Sequence, residues 1–575
     1  MNWTREQQRA IEEQGNLIVS AAAGAGKTAV LTERVVRLVE GGMDVDRLLI
    51  LTFTRAAAAE MKERIQSTLQ QRAAAATDEA LKARLYRQSA RCPNASISTI
   101  HAFCARVVNR YFHLVGLSPS AATLDETESA VLRDQAVDEA LTALAAQDAP
   151  AYKLLIRAFE REDALKRALD SLTGFLMAQP DPAGWLQRVE RELTSREAYD
   201  RAVEVCFRED RQTFEAALTD LIRLRDSYPP AWGKLIAYLD EAIPHARGAL
   251  LQRTPEDYAQ ALGAVTFGRM PTVKDMEPRD KDALKDARDR VKKEAAAQAL
   301  TYGRDGGRLW ALHLESAQVL LALTGLWRRQ QEVYDGLKRD RDRIDFNDLE
   351  HFCAKILEDP EAAAEYRDRF TAIIVDEYQD SNAVQEAILN RIRRPDDLFF
   401  VGDVKQSIYG FRMAEPGLFL EKLRTFTGAA GSRIDLSHNF RSSPEILDAV
   451  NRVFEKLMRP GQSPIAYDDT AAMPGWSSIS SSGTRTRARR TPRSWRTPRR
   501  RPASAPSASG SSWRTSSTGR PRTRRPGPTG TGTSPSFFGA CPTPASSPGL
   551  WLSAASPALP SSPGATSSPW RSWCC

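Results

Sequence analysis

The stretch from Trp476 to Cys575 contains no Asp, no Glu and no Lys, yet it holds 15 Arg. That absence excludes a carboxylate-liganded Mg²⁺ centre there, and its fifteen prolines exclude long helices and central strands. Setting this stretch aside leaves 65 basic against 73 acidic residues, so the overall +7 charge becomes −8 over the remainder. Long hydrophobic runs are missing too: no eighteen consecutive apolar residues occur, so no transmembrane helix is expected. The opening Met1-Asn2-Trp3-Thr4-Arg5-Glu6-Gln7 lacks the charged-then-apolar layout of a secretory signal. Cysteine is scarce, seven residues without metal-type spacing, which fits reduced thiols in a cytoplasmic protein.

At 575 residues the chain predicts roughly three or four domains. Up to about Gly475 it reads as ordinary globular sequence, with helical and strand periods. Beyond that point Ser, Arg, Pro, Thr, Gly and Ala dominate, and six of the eleven tryptophans fall there without an apolar pattern around them. Two readings compete for residues 476–575. One is a disordered, arginine-rich tail that binds nucleic acid, RNA included, through Arg485–Arg525. The other is translation out of frame, since GC-rich DNA read in the wrong frame yields these residue types. The missing Lys and the surplus of Trp favour the second, and the expectation is a disordered tail without an evolved function.

The informative residues lie earlier. Asn16 to Ser20 is a short apolar run with β-branched residues, the pattern of a buried parallel strand. It leads into Ala21-Ala22-Ala23-Gly24-Ala25-Gly26-Lys27-Thr28, and then a helix with Val30, Leu31, Val35, Leu38 and Val39 on one face, ended by Gly41-Gly42. Strand, small-residue loop and helix are the context of a phosphate-binding loop, in which backbone N–H groups wrap the phosphates. Lys27 would supply charge to the β- and γ-phosphates of ATP, and Thr28 a hydroxyl ligand for Mg²⁺. A plain small-residue turn is the bland alternative, and Ala21 stands where the strict pattern has Gly.

A second apolar run, Thr371 to Val375, ends in Asp376-Glu377-Tyr378-Gln379-Asp380. Acidic residues past a strand's carboxyl end lie where open parallel sheets bind ligands. Asp376 is assigned to Mg²⁺ and Glu377 to activating the attacking water, against a solvated acidic turn. A third run, Asp397 to Val401, opens into Gly402-Asp403-Val404-Lys405-Gln406-Ser407-Ile408-Tyr409-Gly410-Phe411. Gln406 could sense the γ-phosphate while Tyr409 or Phe411 stacks on a base; both aromatics could equally be core.

Taken in order, these pieces resemble the UvrD/Rep/PcrA-like superfamily 1 DNA helicases. Gln7 resembles their adenine-reading element. Leu51-Thr52-Phe53-Thr54-Arg55 resembles the strand-to-helix turn that touches single-stranded DNA, and Thr99-Ile100-His101-Ala102-Phe103-Cys104 an element bordering it. Asp345-Phe346-Asn347-Asp348-Leu349 is similar to the segment preceding their acidic motif. In Leu436-Ser437-His438-Asn439-Phe440-Arg441 the resemblance implies that Phe440 packs near adenine and Arg441 reaches the γ-phosphate. The acidic motif, Val404-Lys405-Gln406-Ser407-Ile408-Tyr409 and Met413-Ala414-Glu415-Pro416 point to the AddA branch of that family.

The resemblance implies an α/β fold: a RecA-like P-loop motor domain over 1–112 and 341–425, with a parallel sheet flanked by helices. It further implies a helical accessory domain inserted at 113–340, and the beginning of a second motor domain at 426–475. Apolar spacing from Leu309 to Leu337 is helical, and the charge-rich Lys281 to Lys293 reads as a solvated face. By resemblance the activity is ATP-dependent 3′–5′ DNA unwinding in double-strand-break repair, on single- and double-stranded DNA, with an AddB-like partner and no membrane. Motifs V and VI and the nuclease of that branch are not found before the composition change. The polypeptide is therefore expected to bind nucleotide weakly and unwind little, and an inactive ATP- or DNA-binding fragment is the alternative reading.

Overall fold

Six short strands, four of them largely apolar, build one parallel sheet in a computed structural model that describes residues 3–458 except 274. They are β1 (Leu17–Ala21), β2 (Leu48–Thr52), β3 (Ser96–Thr99), β6 (Ala372–Val375), β7 (Leu398–Gly402) and β8 (Ser432–Leu436). The two remaining strands, β4 (Ala122–Thr123) and β5 (Arg343–Ile344), pair only with each other. The arginine-rich stretch and its expected disorder lie outside the described residues, as does all of 459–475.

The sheet order is β3-β2-β6-β7-β1-β8. Because every pairing is parallel, all carboxyl ends reach the same edge. Successive residues of a strand face opposite sides. Leu17, Val19, Leu48, Ile50, Ile374, Phe399 and Val401 accordingly join one core, with the helices Lys27–Glu40 and Arg55–Ala75. Ile18, Leu49, Leu51, Ile373, Val375 and Phe400 join the other, with the helices Ile100–Tyr111 and Phe346–Ile356. Both faces are covered, which is why these strands read as continuous apolar runs rather than alternating ones.

The segment expected to open a second motor domain contributes β8 to this same sheet, with Leu17 opposite Ser432 and Ala21 opposite Leu436. Asn16 fixes that register. Its carbonyl accepts from Ser432 N at 2.9 Å and its side-chain oxygen from Leu398 N at 3.1 Å. Gly431 (φ 147°) permits the approach, since a Cβ there would stand 2.6 Å from the Asn16 carbonyl oxygen.

Between β4 and β5 the described residues form helices and no strand, from Glu126–Gln147 to Gly306–Asp340. They build cores of their own, for example Leu165, Leu169, Leu172, Leu323, Leu326 and Trp327. Gly306–Asp340 is 35 residues long and, with a mean hydropathy of 1.3 over eighteen residues, matches a membrane span by length and composition. The lack of eighteen consecutive apolar residues predicts no such segment. Part of its apolar surface is buried against neighbouring helices, as Leu323, Leu326 and Trp327 show. At its end, buried Lys338 meets Asp348 at 2.6 Å and Asp335 at 3.1 Å, and Tyr334 donates to Asp345 at 3.0 Å. This charged cluster ties the last inserted helix to Phe346–Ile356.

Candidate nucleotide site and nucleic-acid interface

The loop after β1 turns on two glycines with left-handed backbone, Gly24 (φ 73°) and Gly26 (φ 83°), and the helix starts at Lys27. Other residue types adopt this conformation only under strain. At Gly24 space is also limiting, because a Cβ would lie 2.8 Å from the Asn439 amide. Ala21, Ala22 and Ala25 are buried, while Ala23, Gly24, Gly26, Lys27 and Thr28 are half-buried along the loop.

Three donors hold the loop's carbonyl oxygens: Asn439 Nδ2 on Ala23 at 2.6 Å, Phe440 N on Gly24 at 2.9 Å, and Gln7 Nε2 on Ala25 at 3.1 Å. Engaged oxygens repel an incoming phosphate less than free ones. Gln7, expected to read adenine, is buried here as a brace under the loop, and its Oε1 accepts from Thr4 N at 3.0 Å. Asn439 lies within a motif visible in the sequence, but no local signal there reveals its role, because only the folded β8 brings it to the loop. Phe440 and Arg441 are exposed beside it, and Arg441 N donates to Asn439 Oδ1 at 2.8 Å.

Past β6, Glu377 receives Lys27 Nζ on both carboxylate oxygens, at 3.0 and 2.9 Å. β7 lies between β1 and β6 in the sheet, so this ion pair bridges two strand ends across a third. Glu377 has left-handed backbone (φ 54°, ψ 43°), a conformation that costs a non-glycine residue about 1–3 kcal/mol and concentrates at functional sites. The Asp376 carboxyl is pushed up to about 6, by burial first and then by the Glu377 charge, with Lys27 opposing. Asp380 is also raised to about 6, for the same reasons in the same order.

A carboxylate held at such a cost gains when a cation arrives. Among the described residues no three His, Cys, Asp or Glu side chains converge as a metal cage. Asp376 and Thr28, each next in sequence to a partner of the Lys27–Glu377 pair, offer two oxygen ligands. That donor set fits Mg²⁺, which keeps several waters and takes its other ligands from phosphates.

The turn after β7 is organised by buried Asp403, which accepts from Gln406 Nε2 at 2.8 Å and from Lys405 N at 3.1 Å. Three residues beyond Gln406, the Tyr409 ring meets Phe53 with centroids 4.4 Å apart, and Phe411 follows at 5.6 Å. Arg412 lies over both Phe53 and Tyr409. Phe411 is 74% exposed, which removes it from the core alternative. Phe53 and Tyr409 are half-buried, each with ring surface left over.

Beside them Arg55, Thr99 and His101 line a cavity of about 870 Å³ together with Lys62, Asp125 and Phe346. Thr54 is exposed and caps the helix Arg55–Ala75 through Ala57 N at 3.0 Å. The remaining residues assigned to DNA need correcting. Phe103 is only 1% exposed and packs edge-on against Tyr366 at 5.6 Å, so its ring belongs to the core. Thr52 is buried and donates to the Thr54 carbonyl, whereas Thr99, whose hydroxyl oxygen accepts from Ala102 N to cap Ile100–Tyr111, keeps its place on the cavity wall. Two residues were missed: Lys62, two helical turns beyond Arg55 and visible from that spacing, and Glu350. Glu350 is buried at an otherwise apolar helix position, and its Oε1 lies 3.3 Å from His101 Nε2.

A glycine-turned phosphate loop at the end of β1, paired with an acidic loop past β6, defines a P-loop motor fold. The family described as UvrD/REP helicase N-terminal domain matches residues 3–427, and the chain belongs to it. The chain is similar to an ATP-dependent helicase/nuclease subunit of Alkaliphilus oremlandii, with 38% identity over 500 residues, 82% of this chain and 40% of that protein. The corresponding protein of Geobacillus kaustophilus is 38% identical over 512 residues, 82% of this chain and 41% of the relative. In Enterococcus faecalis the figures are 36% over 491 residues, 80% and 38%. These relatives are of the AddA branch that the sequence motifs indicated. The chain spans about 40% of their length.

Proposed function

We propose that the chain binds ATP with Mg²⁺ at residues 21–28 and hydrolyses it to move along DNA in the 3′–5′ direction. It would do so as the motor of an AddA-type helicase, working in the cytoplasm at double-strand breaks with an AddB-like partner. The observation that carries this reading is the Lys27–Glu377 contact, which brings the phosphate loop and the acidic loop into one site. Lys27 leaves Glu377 for the β- and γ-phosphates, and the freed carboxylate takes a proton from water as its oxygen attacks the γ-phosphorus. The bond to the bridging oxygen breaks and ADP departs. Thr28 and Asp376 would hold Mg²⁺, which when bound would supply charge neutralisation to the phosphates.

Gln406 follows the γ-phosphate, Arg441 reaches it and Phe440 packs by adenine. Tyr409, with Phe53 and Phe411, takes a base, while Thr54, Arg55 and His101 follow the strand. The sheet and its helices act as the first motor domain, residues 113–340 as an accessory domain, and the residues after β8 lead toward a second motor domain. The test is ATP turnover by the full chain with and without oligothymidylate, beside its Lys27→Ala variant. Turnover raised by DNA and lost in the variant supports the reading. ATP binding without any turnover supports instead a fragment that binds without catalysis.

A further inference from the structure

Gln379 is 1% exposed, and all of its polar side-chain atoms are engaged. Its Nε2 donates to Glu377 Oε2 at 2.9 Å and to Asp380 Oδ2 at 3.3 Å. Its Oε1 accepts from Asp403 N at 3.0 Å. Only one amide orientation suits these partners, because a flipped amide would set oxygen against two carboxylates and nitrogen against an N–H donor. The fit is also steric: at Gly402 a Cβ would stand 2.3 Å from Gln379 Oε1. The contact continues on both sides, from Glu377 to Lys27 and from Asp403 to Gln406. The Gln379 carbonyl further accepts from Ser407 Oγ at 3.4 Å.

We infer that Gln379 is a positioning residue that aims the Glu377 carboxylate and joins the acidic loop to the turn carrying Gln406 and Tyr409. The inference rests on the functional reading above for its consequence, although the clasp itself does not. With Lys27 drawn away by phosphate, Gln379 is the donor that still orients Glu377. Any shift of Glu377 is passed through one rigid amide to Asp403, and from there to the residues beside Phe53.

Gln379→Met keeps the side-chain length and removes both polar ends, and Gln379→Glu serves as a second variant should Met fold poorly. In the full chain without nucleotide, amide hydrogen exchange over residues 403–412 is expected to quicken in Gln379→Met. Equal protection in the two proteins would overturn the clasp whatever the chain's activity. In steady-state assays with oligothymidylate, kcat is expected to fall about 10- to 100-fold, as a misplaced reacting group requires. KM for ATP should move little, because Lys27 and the phosphate loop are untouched. Gln379→Glu should recover part of its kcat as pH drops, since the protonated acid regains a donor for Glu377. Normal DNA-stimulated turnover in both variants would overturn the positioning role, whereas failure of the wild-type chain to bind ATP would overturn the functional reading and leave the exchange result standing.

Discussion

Lys27 and Glu377, 350 residues apart in sequence, meet through two hydrogen bonds of 3.0 and 2.9 Å. The pair holds the ammonium largely buried beside the phosphate loop and sets the half-exposed Glu377 carboxylate against it. Lys27→Ala should cut DNA-stimulated ATP turnover at least about a hundredfold, by loss of charge at the developing phosphate oxygens. Glu377→Gln should retain ATP binding while losing turnover to a similar degree. A coupled phosphate-release assay measures both, and DNA-stimulated turnover surviving in Lys27→Ala would show the site to be misassigned.

The Phe53–Tyr409 contact predicts a separable defect. Tyr409→Ala removes a ring available for stacking, worth about 1–3 kcal/mol per base. Fluorescence anisotropy with labelled oligothymidylate should show that loss while ATP affinity stays unchanged. Undiminished DNA binding would return Tyr409 to a packing role.

Phe103 gives the opposite pattern. Its ring lies in the core beside Tyr366 and Phe370, so Phe103→Ala should destabilise the protein by about 3–5 kcal/mol. Denaturant unfolding reads this directly. DNA affinity, measured below the unfolding transition, should match wild type, and a selective DNA defect without loss of stability would contradict the burial.

The raised Asp376 carboxyl predicts a pH dependence with a definite sign. Between its ordinary value of 3.8 and about 6, the folded protein holds a proton that the unfolded chain releases. Stability contributed by this group therefore declines as pH rises through that window, by at most about 3 kcal/mol. Asp376→Asn removes the cost of ionising this carboxyl, so its stabilising effect should be larger at pH 8 than at pH 4.5 in urea melts. The same change at both pH values would mean that Asp376 carries no such burden.

Much of the motor was legible because its strands are short apolar runs next to sharply different loops. Asn16 to Ser20, Thr371 to Val375 and Asp397 to Val401 each fall within one residue of β1, β6 and β7. The phosphate loop and the acidic loop were visible as local patterns. What stayed hidden depends on packing between distant segments. Nothing around Phe103 distinguishes a ring facing a strand of DNA from one facing Tyr366. Asn439 and Gln379 act through partners that only the completed sheet supplies, and β8 looked like the start of something new because its pairing partner lies at the other end of the chain.

That pairing has a consequence for how the protein is made. Among the described strands β1 pairs with β7 and β8 alone, and Leu398, which opens β7, follows Asn16 by 382 residues. On the ribosome the phosphate-binding strand therefore emerges first and waits through synthesis of the whole helical insertion before either neighbour exists. Such late, non-local closure is slow and leaves apolar strand edges open to other chains. The nascent polypeptide should lean on holding chaperones, and nucleotide cannot assist its folding until translation is well past the insertion.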